Sequence, residues 1–236
     1  DTTTKIVIGA DKISIDESGI TWILNPYAEF AIEKALKLKE ANSAVEEIIL
    51  LAMGPERTVE ALRQGLAMGA DSAILLKSDE INTATLVTKV KELGADLVLG
   101  GKKTIDTESS WTEAAIAAEL DLAFVHSANK LEWDGDAIVA SRENSGEKQS
   151  FKLSLPALIT CDKGDDEPRY ASIMGIMKAK KKPLEEIDAT ASSNIGLTVF
   201  DSLLPPARQA VKIFEGTADE TAEQLLTALR EEAKVL

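Results

Sequence analysis

The chain has 236 residues, with 26 Lys+Arg against 40 Asp+Glu and a net charge of −14. That sign excludes the basic face of a nucleic-acid binder and argues against adsorption to anionic membranes. Hydrophobic residues make up 44% and aromatics only 4%, so a sizeable core has to be built from Leu, Ile, Val and Ala.

Taken in order, Lys5 to Gly9 reads as a short buried strand. Pro26 to Glu40 reads as a helix with Ile32, Ala35 and Leu36 on one face. Glu47 to Ala52 is a strand, punctuated by Gly54-Pro55, and the helix after it presents Val59, Leu62 and Leu66 and stops near Gly69. Ser72 to Leu76 is a strand. Thr83 to Leu93 is a helix closed by Gly94, Asp96 to Leu99 a strand, and Trp111 to Leu120 a helix. Strands that are continuous apolar runs, alternating with helices, predict an α/β fold with a mostly parallel sheet covered on both faces.

After Leu122 the pattern changes. Asn129 to Trp133, Ala137 to Arg142 and Ser150 to Leu153 read as short strands, with hairpin turns at Asp134-Gly135 and Ser145-Gly146. This is an antiparallel addition to the same domain. Pro156 to Cys161 is another buried strand, followed by a basic, Met-containing stretch from Arg169 to Lys182. Residues 185–210 look like an extended arm. The chain closes with a helix from Ala218 to Lys234, opened by a capping box of Thr217 and Glu220. The domain reading is therefore an α/β domain over residues 1–184 and an arm with a terminal helix over 185–236.

Scarcity limits the chemistry. The single Cys161 leaves no intrachain disulfide or Cys-x-x-Cys site, and the single His126 excludes multi-histidine metal centres and argues against a Ser-His-Asp triad. Cys161 reads as a small core residue and His126 as a satisfied one. Asp106 and Glu108 form a possible acid/base pair, against which stands the absence of a nearby His, Cys or metal cluster; solvated or capping carboxylates are the plainer reading. No apolar run approaches the ~20 residues that span a bilayer. The start, Asp1 to Lys5, has no signal-peptide pattern. A cytoplasmic compartment is expected, with the mitochondrial matrix, after removal of a transit peptide, as the alternative.

Ligands of open parallel sheets bind outside the carboxyl ends of the strands. Three loops leave such ends: Gly9-Ala10-Asp11, Met53-Gly54-Pro55, and Gly100 to Thr112. In the last, the glycines let backbone approach a ligand and Lys102 and Lys103 bring positive charge. Ser110 and Glu113 read as a capping box, and Ser109, Ser110 and Thr112 offer donors at a helix N-terminus, a phosphate-cradle pattern. An ordinary capped βα loop is the competing reading. There is no GxxxxGK[ST] or GxGxxG motif. Trp111 is unusual in such a loop and is placed to cover a ring or a partner. The cluster Lys178 to Lys182 beside Ile173, Met174, Ile176 and Met177 reads either as a docking surface or as a solvated face next to core.

Asn25-Pro-Tyr-Ala-Glu29, Met53-Gly-Pro55, Leu66-Ala-Met-Gly-Ala-Asp71, Gly101-Lys-Lys-Thr-Ile-Asp106 through Thr112, and Glu167-Pro-Arg-Tyr-Ala-Ser-Ile173 through Pro183 follow one another in a family order. With Arg142 to Thr160, they make the chain resemble the beta subunit of electron-transfer flavoproteins over nearly its whole length. The resemblance implies a Rossmann-like adenine-nucleotide-binding fold and a heterodimer with an alpha subunit that holds most of the redox-active FAD. It implies a carrier without substrate chemistry of its own, passing electrons from flavin-dependent dehydrogenases to a quinone reductase or other acceptor. It also implies one structural AMP in this chain. By position its contacts would be Gly9; Asn25, Pro26, Tyr27 and Ala28; Met53; and the loop of Gly101, Lys102, Lys103, Thr104, Ile105, Asp106, Thr107, Glu108, Ser109, Ser110, Trp111 and Thr112. The family's partner-recognition loop falls on residues 167–183, with Arg169, Tyr170, Ile173, Met177 and Lys178 as the contacts and Ile173 where a leucine anchor is usual. Trp111 and Ala114 replace two family glutamines, and Asp11 stands where lysine is common. In the electron-bifurcating branch a second FAD takes the place of AMP; Thr107 and Thr112 favour AMP. The reading from a different class is a stand-alone adenine-nucleotide-binding regulator, which has no need of residues 185–236.

Overall fold

The computed structural model describes residues 2–79, 81–189, 201–207 and 210–236. The chain divides into two units, residues 1–6 with 16–198, and residues 7–15 with 199–236.

The first unit is α/β. Its elements are α1 (Pro26–Ala41), β1 (Ile49–Gly54), α2 (Thr58–Met68), β2 (Ser72–Lys77), α3 (Thr83–Leu93), β3 (Leu97–Gly101), α4 (Thr112–Glu119), β4 (Ala123–Ala128), β5 (Lys130–Asp134), β6 (Ala137–Asn144), β7 (Glu147–Ser154), β8 (Ala157–Cys161), α5 (Ile173–Ala179) and β9 (Leu184–Asp188). The strands form two parallel three-stranded sheets, β1-β2-β9 and β3-β8-β4, and an antiparallel sheet β5-β6-β7.

Apolar strands dictate this layering. Ile74 and Leu75, adjacent on β2, enter opposite core clusters because successive side chains of a strand point to opposite faces. Leu75 joins Ile32, Leu36, Leu62 and Leu66 from α1 and α2, while Ile74 joins Leu86, Val90 and Ile116 from α3 and α4. All five residues of β8 are buried, as a central strand requires. The antiparallel sheet buries Ile138 and Ala140 with Leu38 of α1, and Trp133 donates its indole N–H to the Leu38 carbonyl at 3.1 Å. The expected stop signals operate: Gly69 has φ 147°, and Gly94 adopts φ 60° after α3.

Four expectations change. Lys5 to Gly9 is not a strand of the parallel sheet: Ile6 and Val7 are exposed, and Ile8 makes a single antiparallel bridge to Ile15. The Asp11 carboxylate accepts from the Ile13 and Ser14 amides and the Ser14 hydroxyl, and the Gly9 amide donates to the Ser14 carbonyl. The run is thereby turned back on its own return. β4 is a strand the sequence reading missed, because its first two residues are exposed and a bulge after Val125 breaks its register. α5 is a formed helix inside the basic stretch. Residues 185–188, counted with the arm, belong to β9, which pairs with β2.

In the second unit, the Thr217–Glu220 capping box is formed, with donors and acceptors satisfied in both directions. It opens α6 (Ala218–Thr227), which runs into a wider turn, Ala228–Glu232, so the helical segment ends slightly short of the predicted Lys234. None of its residues is buried. Much of the predicted arm, residues 190–200 and 208–209, lies outside the described residues. Among the described residues no helix is long and apolar enough to cross a membrane.

Candidate functional site

Two cavities open at the carboxyl ends of the parallel strands, and the 101–112 loop contributes to both. The first, about 250 Å³, lies at the ends of β1 and β2 and is lined by Met53, Gly54, Pro55, Arg57, Thr58, Ser78, Asp79 and Ile81, with Trp22, Ile23 and Asp106. The second, about 320 Å³, lies at the ends of β3 and β4 and is lined by Lys102, Lys103, Ser110, His126 and Ser127, with Arg142, Glu143 and Asn144 from β6 and its end.

The loop is seated by backbone contact. A Cβ on Gly101 would lie 2.9 Å from the Tyr27 carbonyl carbon and 3.0 Å from the Ala28 nitrogen, so only glycine brings β3 this close to the start of α1. Pro26 occupies the first turn of α1, where its missing N–H costs nothing. The Asn25 amide donates to the Lys103 carbonyl at 2.9 Å, while its own Oδ1 is buried without a hydrogen-bond partner. Lys102 lies 5.0 Å from the Tyr27 ring centroid and pairs with Asp162 at 2.7 Å. Burial pushes the Asp162 carboxyl up, but Lys102, the Lys163 amide and the Ser127 hydroxyl outweigh it and hold it below the usual range.

Much of the loop's polarity is turned inward. The Thr104 amide donates to the Ser109 carbonyl, the Ser109 amide donates to the Thr104 hydroxyl, and the Thr104 and Thr107 hydroxyls lie 3.0 Å apart. Asp106 accepts from the Thr107 amide at 2.6 Å. Burial pushes its carboxyl up, and bonds from Thr104 and Thr107 bring it below its ordinary value. Glu108, at φ 54°, pairs with Lys103 at 2.6 Å. Asp106 and Glu108 are thus both held ionised, so neither is poised as a general acid. Ile105 is half-buried in the same loop.

The expected Ser110–Glu113 capping box does not form. Trp111 is the N-cap of α4, with a helical backbone and no side-chain cap bond. Glu113 is folded beneath Gly100, where a Cβ would meet its Cγ at 2.6 Å, and burial raises its carboxyl. The indole of Trp111 is 58% exposed, so in this chain it is not packed as core.

The second cavity owes its shape to the bulge in β4. Ser127, at φ 62°, directs its amide to the Thr160 hydroxyl and its own hydroxyl to Asp162, both at 2.9 Å. His126 Nδ1 lies 2.9 Å from the same Thr160 hydroxyl, the satisfied histidine anticipated from the sequence. Burial lowers its pKa, and Arg142 and Lys102 lower it further. Cys161 is fully buried, and burial pushes its thiol up to about 12. Among the described residues no cluster of His, Cys, Asp or Glu forms a metal site.

The structure therefore brings Asn25 to Ala28 together with Gly101 to Lys103, and Met53 together with Asp106. Gly9 belongs to the second unit, in the turn around Asp11. Of the proposed partner contacts, Tyr170, Ile173, Met177 and Lys178 are exposed, Tyr170 and Ile173 at 99% and 80%. The Arg169 guanidinium is bound to Glu33 and Glu40. The sequence reading missed Trp22, Arg57, Ser127 and Asn144. Arg57 stacks 4.1 Å from the Trp22 ring, but nothing in their spacing announces it.

A family model described as the electron transfer flavoprotein domain matches residues 12–192. The chain is 38% identical to the electron transfer flavoprotein subunit beta of Bacillus subtilis (strain 168), with all of this chain aligned to 96% of that protein. It is 36% identical to the subunit of the same name from Bos taurus, all of this chain covering 94% of it. It is 33% identical to the mitochondrial electron transfer flavoprotein subunit beta of Arabidopsis thaliana, covering 96%.

Proposed function

Since this chain belongs to the electron transfer flavoprotein family, among its beta subunits, we propose that it is a carrier subunit that binds one AMP structurally and pairs with an alpha subunit holding the FAD. Electrons enter from flavin-dependent dehydrogenases and leave to a quinone reductase or another acceptor. The flavin supplies the redox chemistry; this chain supplies binding, orientation and a docking surface.

The observation that carries the nucleotide reading is Asn25. A buried amide oxygen without a donor costs on the order of 1–3 kcal/mol, and an amino or hydroxyl group of an adenine nucleotide relieves it. The surroundings suit such a ligand. Neither α1 nor α4 is closed by a capping side chain, and helix N-termini attract phosphate. Lys102 and Lys103 stand in the same loop, each paired with a carboxylate, Asp162 and Glu108. Asn25 to Ala28, Met53 and Gly101 to Thr112 would hold the nucleotide. A cavity of about 250 Å³ opens beside Met53 and Asp106 at the strand ends, where such a ligand is expected.

The test is the nucleotide content of the purified heterodimer after denaturation, by chromatography and mass spectrometry. AMP and FAD in equal amounts are expected. Two FAD and no AMP would replace this reading with the electron-bifurcating one, and a folded, functional chain without alpha subunit or flavin would leave a stand-alone nucleotide-binding protein.

A further inference from the structure

The docking surface proposed above rests on α5, a helix of 7 residues with Ile173, Met174 and Met177 exposed at 80%, 65% and 66%. So short a helix has no stability of its own in water. Its neighbours hold it. Ser172 caps it, accepting from the Gly175 amide at 3.0 Å. Ala179 is buried at its end and Ala171 packs on the core just before its start. Gly175 sits directly on α2, where an added Cβ would lie 2.6 Å from the Ala67 carbonyl oxygen.

Two cations complete the attachment. Arg63 of α2 donates to the Ala179 carbonyl at 2.6 Å and the Lys182 carbonyl at 2.9 Å, gripping the end of α5. Lys182 reaches back to the carbonyls of Leu66, Gly69 and Ala70, the end of α2. A cation at a helix C-terminus also meets the favourable end of the dipole. The exchange is reciprocal: α2 supplies a donor to the end of α5, and Lys182, shortly after α5, supplies one to the end of α2.

We propose that Arg63 and Lys182 are positioning residues, which hold α5 as a preorganised docking element for a partner dehydrogenase whose apolar pocket is ringed by carboxylates. The inference rests on the docking reading. The carboxylate rim follows from charge: Lys178, Lys180 and Lys181 are exposed and make no ion pair among the described residues, a positive island on a chain of net charge −14. Such an island steers an acidic partner and fixes its register, while the apolar side chains supply affinity. Rigid presentation spares the partner the entropy of ordering the loop.

The experiment uses the flavin-loaded heterodimer as electron acceptor, with a substrate-reduced flavin-dependent dehydrogenase that reduces the wild type as the probe. Arg63→Met is expected to raise KM for the heterodimer about tenfold with kcat and nucleotide content unchanged, and Arg63→Lys to recover part of the loss. Wild-type KM should rise with salt, and Lys180→Glu with Lys181→Glu should flatten that dependence. If Arg63→Met does not fold, Gly175→Ala tests the same attachment by pushing α5 off α2 from the other side. Ile173→Ala separates the two levels. A raised KM for Ile173→Ala with wild-type KM in both attachment variants overturns the positioning role alone. Wild-type KM for Ile173→Ala as well overturns the docking reading. A salt-independent KM overturns the acidic rim.

Discussion

Glu33 and Arg169 are 136 residues apart in sequence and joined in the fold by a two-pronged ion pair, with Arg169 Nε 2.8 Å from one Glu33 carboxylate oxygen and Nη2 2.9 Å from the other. The Arg169 amide donates to the same carboxylate, and Nη1 reaches Glu40 at 2.7 Å. Glu33 is 3% exposed. The stretch that leads to α5 is thereby fastened to α1. Glu33 and Glu40 lie two turns apart on one face of α1.

Removing the cation strands a buried carboxylate. Arg169→Ala should cost ~3 kcal/mol, the low end for a broken buried pair because the guanidinium is 35% exposed. Chemical denaturation measures it. The pH dependence has a definite sign. Burial pushes the Glu33 carboxyl up, but bonds from Arg169 outweigh it and bring the folded value below 4.5. A depressed folded value means the contribution is complete above the unfolded value and is lost as pH falls through the folded one. Wild-type stability should therefore drop below about pH 4.5, and Glu33→Gln, less stable at pH 7, should drop less steeply over that range.

Gly101 is the glycine of the candidate site whose added Cβ would meet backbone rather than only the end of a side chain. Gly101→Ala places a methyl against the Tyr27–Ala28 backbone, where no side-chain rotation relieves it. The expected cost is ~1–3 kcal/mol, as for overpacking, together with loss of co-purified nucleotide. Thermal unfolding and nucleotide analysis of the same sample check both. A stable variant with full nucleotide would show that the loop is not seated on α1 in the way described.

Legibility followed the kind of signal. Apolar runs of the α/β half stand out because strands buried on both faces need no polar partner, and the Gly94 stop and Thr217–Glu220 capping box carry local chemistry that tertiary contacts left intact. Lys5 to Gly9 has the same apolar pattern, but the Asp11 side chain turned it back on Ile15. The Ser110–Glu113 pattern failed for a tertiary reason, since Gly100 leaves room for Glu113 beneath it. The residues lining the cavities at Trp22, Arg57 and Ser127 depend on a stacking contact and a bulge that no spacing encodes.

Cys161 is inaccessible, and its thiol is pushed up to about 12 by burial. At pH 8 the thiolate is scarce and out of reach, so iodoacetamide should leave the folded protein unmodified and label one site after denaturation. Labelling at a rate set by unfolding is consistent with this; rapid labelling of the folded chain is not.

The terminal helix carries the last prediction. Ala222, Leu225, Leu229 and Ala233 fall at helical spacing, Leu226 widens the stripe, and Leu225 and Leu226 are 47% and 46% exposed. Val211, Ile213, Val235 and Leu236 around it are exposed at 67% or more. An amphipathic segment of ten α-helical residues followed by a five-residue wider turn is marginal alone in water even with its capping box. Apolar surface of this extent on a chain of the beta-subunit family suits an obligate partner, the alpha subunit. Deleting residues 211–236 should leave a folded, nucleotide-bearing α/β unit that no longer forms a flavin-containing heterodimer. Size-exclusion chromatography with absorbance at the flavin band reads the assembly, and circular dichroism reads the fold. A heterodimer of normal affinity after the deletion would remove the helix from the interface, and collapse of the truncated chain would assign the stripe to this chain's own core.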